Sequence, residues 1–485
     1  MSLPPHAAEN FYADIHVHPG LKSFLIREIE SPWTDYEQAT PEQRVGRTSR
    51  RTQSDFSKMF RANVRLVCYN LHLPERYLLS HLLSSPRLYN AVFQMDVRLM
   101  REIQSNRPFE MLQRELAHLR KHLQDPETGR EAVVARNWSE VATILADPNK
   151  ICILLCIEGA HCLGFEYDQV DFPANKRIYR LPIQPAELDT AELVEERVQW
   201  MVDHDVFMLT LCHIAHNEMG SQATATELTG LMRILPNPIQ SLHGAWGNYR
   251  GLSYLGALLV RRCYERGILI DIKHCDAVTR QQVYHIAREL NRPVIGSHVG
   301  FSGRKTNVRG IDLLKDMDSP ADRAKAPKLN PWDINLHDDD IVAIHRSGGL
   351  LGLIMDERIL GSVRAVKEAR QTGKWYQLLY NQIEHVYQVL TEAGEAPETA
   401  LDSLCIGSDF DGFIDPIDST PTLLEFRRST DTPTGRFLPL DEGLVEVLGH
   451  HRRLFKPSGL EPEQIAQRIL RDNVVAFLQR SFRGY

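Results

Sequence analysis

The sequence predicts a (β/α)8 barrel with long insertions on its C-terminal face, and three observations predict it. Eight short, apolar, β-branched runs are spaced along the 485 residues. Near-continuous apolar runs are what strands buried on both faces require. Amphipathic stretches with helical spacing lie between them, such as 254–266, apolar at Leu255, Leu258, Leu259 and Cys263, and 277–290. Strand–helix alternation of this kind argues for a parallel sheet closed on itself. Finally, six of the eight runs end in His, Glu or Asp, and barrels of this class build their chemistry at the C-terminal ends of strands.

Taken in order, run 13–18 leads into Pro19-Gly20 and carries His16 and His18. Side chains alternate along a strand, so these imidazoles are expected on one face, with Ile15 and Val17 on the other. Run 64–71 ends without a candidate. Run 151–158 ends on Glu158, 206–213 on His213, 268–274 on His274 and 293–298 on His298. Run 349–355 has no such residue, and 403–409 ends on Asp409. Further helices are expected at 341–347, at 375–391 and at 462–478, where Pro462 sits in the first turn and its missing N–H does no harm. The stretches 22–61, 165–193, 222–250, 301–334 and 415–442 exceed ordinary connections. Each follows a strand and is expected to shape a pocket or lid over the C-terminal face. No repeat, low-complexity tract or linker divides the chain, so one domain over 1–485 is expected.

Composition narrows the function classes. Net charge is −7 with no long basic run, which argues against nucleic acid as a partner. No apolar run approaches the roughly 20 residues of a membrane span, and the N-terminus lacks a signal-peptide pattern. The eight cysteines are scattered singly, mostly through apolar runs. They read as reduced thiols rather than a disulfide framework, and a cytoplasmic protein is expected.

The strand ends carry the chemistry. His16, His18, Glu158, His274 and His298 form a nitrogen and oxygen donor set suited to zinc. Five protein donors exceed the three of a one-zinc catalytic site, and sharing Glu158 between two ions about 3.5 Å apart accommodates them. Singly, each candidate has a plainer reading. Glu158 reads as a loop carboxylate, His213 as a satisfied core histidine and Asp409 as a helix N-cap ahead of Gly412. Jointly those readings bury many polar groups with nothing to satisfy them. His161, His216, Asp271, Asp276 and Asp411 are expected to support the site or the fold.

The order of motifs resembles a family. Its pieces are Asp14-Ile-His16-Val-His18, Ile157-Glu158-Gly159, Leu209-Thr210-Leu-Cys-His213, Gly251-Leu252-Ser253 and Ile270-Asp271-Ile-Lys-His274. Pro293-Val-Ile-Gly-Ser297-His298, Asn335-Leu336-His-Asp338-Asp339, Gly407-Ser408-Asp409-Phe-Asp411-Gly412 and Asp472-Asn473 follow. This ordered set resembles the membrane (renal-type) dipeptidases and their bacterial relatives in the amidohydrolase superfamily. The resemblance implies a hydrolase with two zinc ions per chain that cleaves dipeptides with a metal-bridging hydroxide. His16, His18 and Glu158 would hold one ion, and Glu158, His274 and His298 the other. His213 would polarise the scissile carbonyl, and Asp409 would orient the hydroxide and carry its proton to the leaving amine. A homodimer is the assembly the resemblance suggests.

The chain also departs from the pattern. His18 stands where the family usually has Asp, making the site one unit more positive, and Ile334 stands where an arginine usually binds the dipeptide carboxylate. Thirty-six residues separate His298 from Asn335, and Arg304, Lys305, Arg309, Arg323, Lys325 and Lys328 among them are candidate replacements. A lactone, cyclic amide or other small non-peptide is therefore an alternative substrate, and a catalytically inactive barrel a third reading. The full set of seven strand-end residues argues against the last.

Overall fold

The computed structural model describes residues 11–26, 29–36, 51–75, 97–105, 108–165, 186–214, 217–223, 251–306, 328–332, 334–428 and 436–482. Its strands are β1 (Tyr12–Val17), β2 (Val64–Leu71), β3 (Glu131–Val134), β4 (Lys150–Glu158), β5 (Val206–Thr210), β6 (Leu269–Asp271), β7 (Val294–Val299), β8 (Leu350–Leu353) and β9 (Leu404–Ile406). Eight pair in the order β1-β2-β4-β5-β6-β7-β8-β9, and every pairing is parallel. The ring closes between β1 and the residues after β9. Val17 bridges Phe410 in parallel, the Asp409 amide donates to the His16 carbonyl at 2.9 Å, and the His18 amide donates to the Phe410 carbonyl at 3.0 Å. This is the expected (β/α)8 barrel, and its eight strands are the eight apolar runs.

Several differences have physical reasons. β5, β6, β8 and β9 stop two to three residues short of the apolar runs, so His213, His274 and Asp409 lie on the loops just past their strands. His274 and Asp409 adopt left-handed backbone, at φ 66° and 63°, a conformation that ends a strand and turns its last side chain. β3, which was not expected, pairs with the N-terminal part of β4, from Glu131↔Lys150 to Val134↔Ile153. It occupies the edge that β5 reaches only from Leu155 onward. In β1 the strict alternation breaks. A register shift against β2 between Asp14 and Val17 turns Ile15 inward, onto the barrel floor with Phe207 and Ile295. Such a bulge resets which face each side chain meets, so Val17 packs in the outer layer while Ile15 lies inside with the histidines.

The outer apolar layer packs strands against helices that match expectation: Tyr254–Glu265, Ala277–Glu289, Asp338–Arg346 and Tyr376–Glu392. The expected C-terminal helix runs unbroken from Pro462 to Ser481, with one wider turn at Arg468–Asp472. Its Val474, Phe477 and Leu478 plug the barrel floor, and the Asn473 side chain donates to the carbonyls of Leu401 and Leu404. The expected insertions contain regular structure. Phe56–Ala62 begins within 22–61, Ala186–Asp203 overlaps 165–193, and Leu440–His450 begins within 415–442. Asp55 caps the first of these by accepting the Lys58 amide, a local signal available in the sequence. Residues 37–50, 166–185, 224–250, 307–327 and 429–435 of those stretches fall outside the described residues, as do His216, Arg309, Arg323 and Lys325. All eight cysteines are free and buried. Among the described residues, no helix is long and apolar enough to cross a membrane.

Candidate metal centre

The seven strand-end candidates converge on one side of the ring. Glu158 occupies the middle. Its Oε1 lies 3.3 Å from His274 Nε2 and 3.5 Å from the Nε2 atoms of both His298 and His16. Its Oε2 lies 3.4 Å from His18 Nε2 and 3.4 Å from His72 Nδ1. The ring nitrogens pair as well, with 3.1 Å between His16 Nε2 and His18 Nε2 and 3.1 Å between His274 Nε2 and His298 Nε2. Asp409 Oδ1 stands 3.4 Å from His18 Nε2 and 3.7 Å from His16 Nε2. Donors this close surround one or more positions that could hold a cation, and Glu158, His274 and His298 form one such group while His16, His18 and Asp409 form another.

Hydrogen bonds behind the rings aim these nitrogens. The Ser297 hydroxyl donates to Asp271 Oδ2 at 2.6 Å. Its oxygen then accepts from His16 Nδ1 at 2.9 Å and from His298 Nδ1 at 2.8 Å. A hydroxyl has one proton and two lone pairs, so both rings carry their proton on Nδ1 and turn bare Nε2 lone pairs toward Glu158. This is how a ligating histidine is usually held. Asp271 is fixed in turn by the Thr210 hydroxyl, the Lys273 amide and the Ser297 amide.

The electrostatics point the same way. Burial, then repulsion from His18 and Lys273, holds His16 well below the ordinary imidazole value. Burial acts likewise on His274 and His298, followed by His213 and His16 respectively. These rings are neutral and able to donate lone pairs. Glu158 is pushed well up by burial and by Asp409, Asp271 and Glu75. Lys273, fully buried with no hydrogen-bond partner for Nζ among the described residues, is brought down to about 8 by burial. Neutral imidazoles crowded around mutually repelling carboxylates form a donor set that fits divalent cations, which would relieve both strains.

The seven residues divide by exposure. His16, His18, Glu158 and His298 side chains are 0–3% exposed, His274 is 9% exposed, and His213 and Asp409 are each 12% exposed. Asp409 heads no helix, which removes the N-cap reading. Asp276 does cap a helix, through the Thr279 amide. Asp411 anchors the loop at the Gln53 and Ser54 amides and pairs with Lys22 at 2.8 Å. His161 Nε2 meets the Leu73 carbonyl at 2.7 Å. Lys328, one candidate cation for a substrate carboxylate, is paired with Glu384.

Sequence reasoning missed the segment just past β2. His72 Nδ1 is 3.2 Å from the Glu158 carbonyl, and its ring lies 4.3 Å from that of His213. Glu75 Oε1 is 2.7 Å from His213 Nδ1. The imidazoles of His213, His161 and His72 overcome burial and keep the Glu75 carboxyl below the ordinary range. The signal was one residue away, since the apolar run 64–71 is followed at once by His72.

No family model and no curated protein matches the chain. Solved structures do. A metallo peptidase from Rhodobacter sphaeroides, liganded with a phosphinate mimic of the dipeptide L-Ala-D-Ala, aligns with a TM-score of 0.55 at 16% identity, covering 98% of this chain and 100% of its own. The dipeptidase AC, a metallo peptidase, aligns at 0.52 with 15% identity over 97% and 99% of the two chains. At these identities the likeness establishes the barrel fold along nearly the whole chain.

Proposed function

We propose that this chain is a metal-dependent hydrolase of the amidohydrolase type, related to the membrane dipeptidases, that cleaves dipeptides using two zinc ions. The observation that carries the reading is the placement of Glu158 among the imidazoles, with Oε1 facing His16, His274 and His298 and Oε2 facing His18. His16, His18 and Glu158 would hold one ion, and Glu158, His274 and His298 the other. The imidazole-rich set favours zinc over harder cations. When bound, the ions supply a Lewis acid and a water that is acidic near neutral pH, so no serine or cysteine nucleophile is needed.

The two more open side chains take the remaining roles. Asp409 would accept the proton of the attacking water and pass it to the amine nitrogen as the C–N bond breaks. Burial raises its proton affinity above that of an ordinary aspartate, as that shuttle requires. His213 would face the carbonyl oxygen with Nε2 and, as the imidazolium, donate to it as negative charge develops there. The two neighbouring folds belong to peptidases, one of them holding a dipeptide mimic, which supports the substrate class. Free, buried cysteines support a reducing compartment, and with it the cytoplasm. A single domain over 1–485 and a homodimer complete the proposal.

A second reading keeps the metals and changes the substrate. Ile334, buried at 7% exposure, offers no guanidinium where the family's arginine would bind a terminal carboxylate. A lactone or cyclic amide needs none. Elemental analysis alongside hydrolysis of L,L and L,D dipeptides separates the readings. Near two zinc per chain with turnover supports the dipeptidase. Two zinc without turnover favours the non-peptide substrate, and no metal after zinc is added back overturns both.

A further inference from the structure

His213 lies past the end of β5, so strand pairing alone does not orient its ring. The segment 72–75 does. Glu75 Oε1 accepts from His213 Nδ1 at 2.7 Å and from the Ile214 amide at 3.0 Å. One carboxylate oxygen therefore grips both the ring and the backbone beside it. An acceptor of this kind keeps the ring proton on Nδ1. The opposite edge, Nε2, is then the one turned toward the site, 4.0 Å from Glu158 Oε2. The His72 ring closes the flank at 4.3 Å and 60° to the His213 ring. His72 is itself fixed through Nδ1 at the Glu158 carbonyl and through its amide, which donates to Glu115 Oε2 at 3.0 Å. Histidine χ2 is otherwise a broad, two-fold torsion, and an untethered ring could present carbon where nitrogen is needed.

We propose that Glu75 is the positioning residue of His213, fixing its ring orientation so that Nε2 faces the bond to be cleaved. Glu75 approaches the ring from its far nitrogen and is 1% exposed, so it acts through His213 and does not touch substrate. The role of His213 in this inference rests on the hydrolase reading above. The hold of Glu75 on the ring stands on the hydrogen bonds alone.

The test compares zinc-loaded wild type, Glu75→Ala and Glu75→Gln. The readouts are metal content, the downfield imidazole Nδ1–H resonance assigned by its loss in His213→Asn, and kcat and KM on a dipeptide. Glu75→Ala should keep its metal, lose that resonance and lose about 10- to 100-fold in kcat with KM little changed, the usual effect of removing such a support. Glu75→Gln retains an acceptor oxygen and should restore the resonance and most of the kcat. The proposal is overturned if Glu75→Ala keeps the resonance and the rate. It is equally overturned if Glu75→Gln is as impaired as Glu75→Ala, or if Glu75→Ala loses metal, since Glu75 would then serve charge or the metal shell. A wild type that cleaves no dipeptide would fail the hydrolase reading, while the resonance would still decide whether Glu75 holds His213.

Discussion

Removing the Glu158 carboxylate takes a donor away from His274 and His298 on one side and from His18 on the other. Glu158→Ala is therefore expected to reduce zinc from two ions per chain to fewer than one, measured by elemental analysis. Two ions surviving the change would remove Glu158 from the shared position. Burial raises the carboxyl proton affinity of Asp409, and in the proposed mechanism its task is proton transfer. Asp409→Asn keeps shape and hydrogen-bonding capacity but cannot shuttle a proton. It should retain its zinc and lower kcat by about 10²- to 10⁴-fold, the ordinary span for general acid–base groups. Unchanged turnover would take Asp409 out of the mechanism.

At the scale of elements, the site depends on how closely the strands behind it approach. A Cβ added to Gly352 on β8 would come within 1.9 Å of the Ser297 carbonyl oxygen, and one added to Gly407, just after β9, within 1.7 Å. Only a hydrogen fits at either place. Ser297 is also the residue that holds His16 and His298 by their Nδ1 atoms. Gly352→Ala should thus do two things at once. Overpacking should lower unfolding free energy by about 3 kcal/mol in urea titrations, and the displaced Ser297 should weaken zinc affinity in a competition titration. A loss of stability with unchanged zinc affinity would show that β7 can shift without moving the Ser297 hydroxyl.

For the whole molecule, the donors come from β1, β4, β7 and the loop after β6, so a bound cation ties together distant parts of the ring. Stripping the metal should lower the melting temperature, and adding zinc back should restore it. At a free zinc concentration of about 100 Kd the expected gain is about 2.7 kcal/mol. The sign with pH follows from the rings. Their folded proton affinities lie well below 6.5, and protons compete with zinc for the same lone pairs. Zinc stabilisation should therefore be present at neutral pH and shrink as the solution is acidified. Calorimetry with and without zinc, followed from neutral pH to well below pH 6.5 where the folded rings take up protons, measures it, and a zinc-dependent shift that grows on acidification would contradict the assignment of imidazole donors.

The eight strands and all seven strand-end residues were legible because their signals are local. A buried strand writes its hydrophobicity into consecutive residues, and a ligand at its end follows directly, as Glu158 follows Cys156-Ile157. Asp55 ahead of Phe56–Ala62 was equally local and still went unread, because the polar stretch around it suggested loop. What the tertiary structure alone decided depends on neighbours and register. Ile15 faces inward because β1 shifts against β2, and β3 has a place only because β5 begins late along β4. Ser297 serves two histidines because β1 and β7 meet inside a closed ring, His16 lying 281 residues away in sequence. Glu75 and His213 are 138 residues apart, and no periodicity within either segment announces the other. A strand's own residues determine that it is buried and what stands at its end; only closure of the ring determines which ends meet.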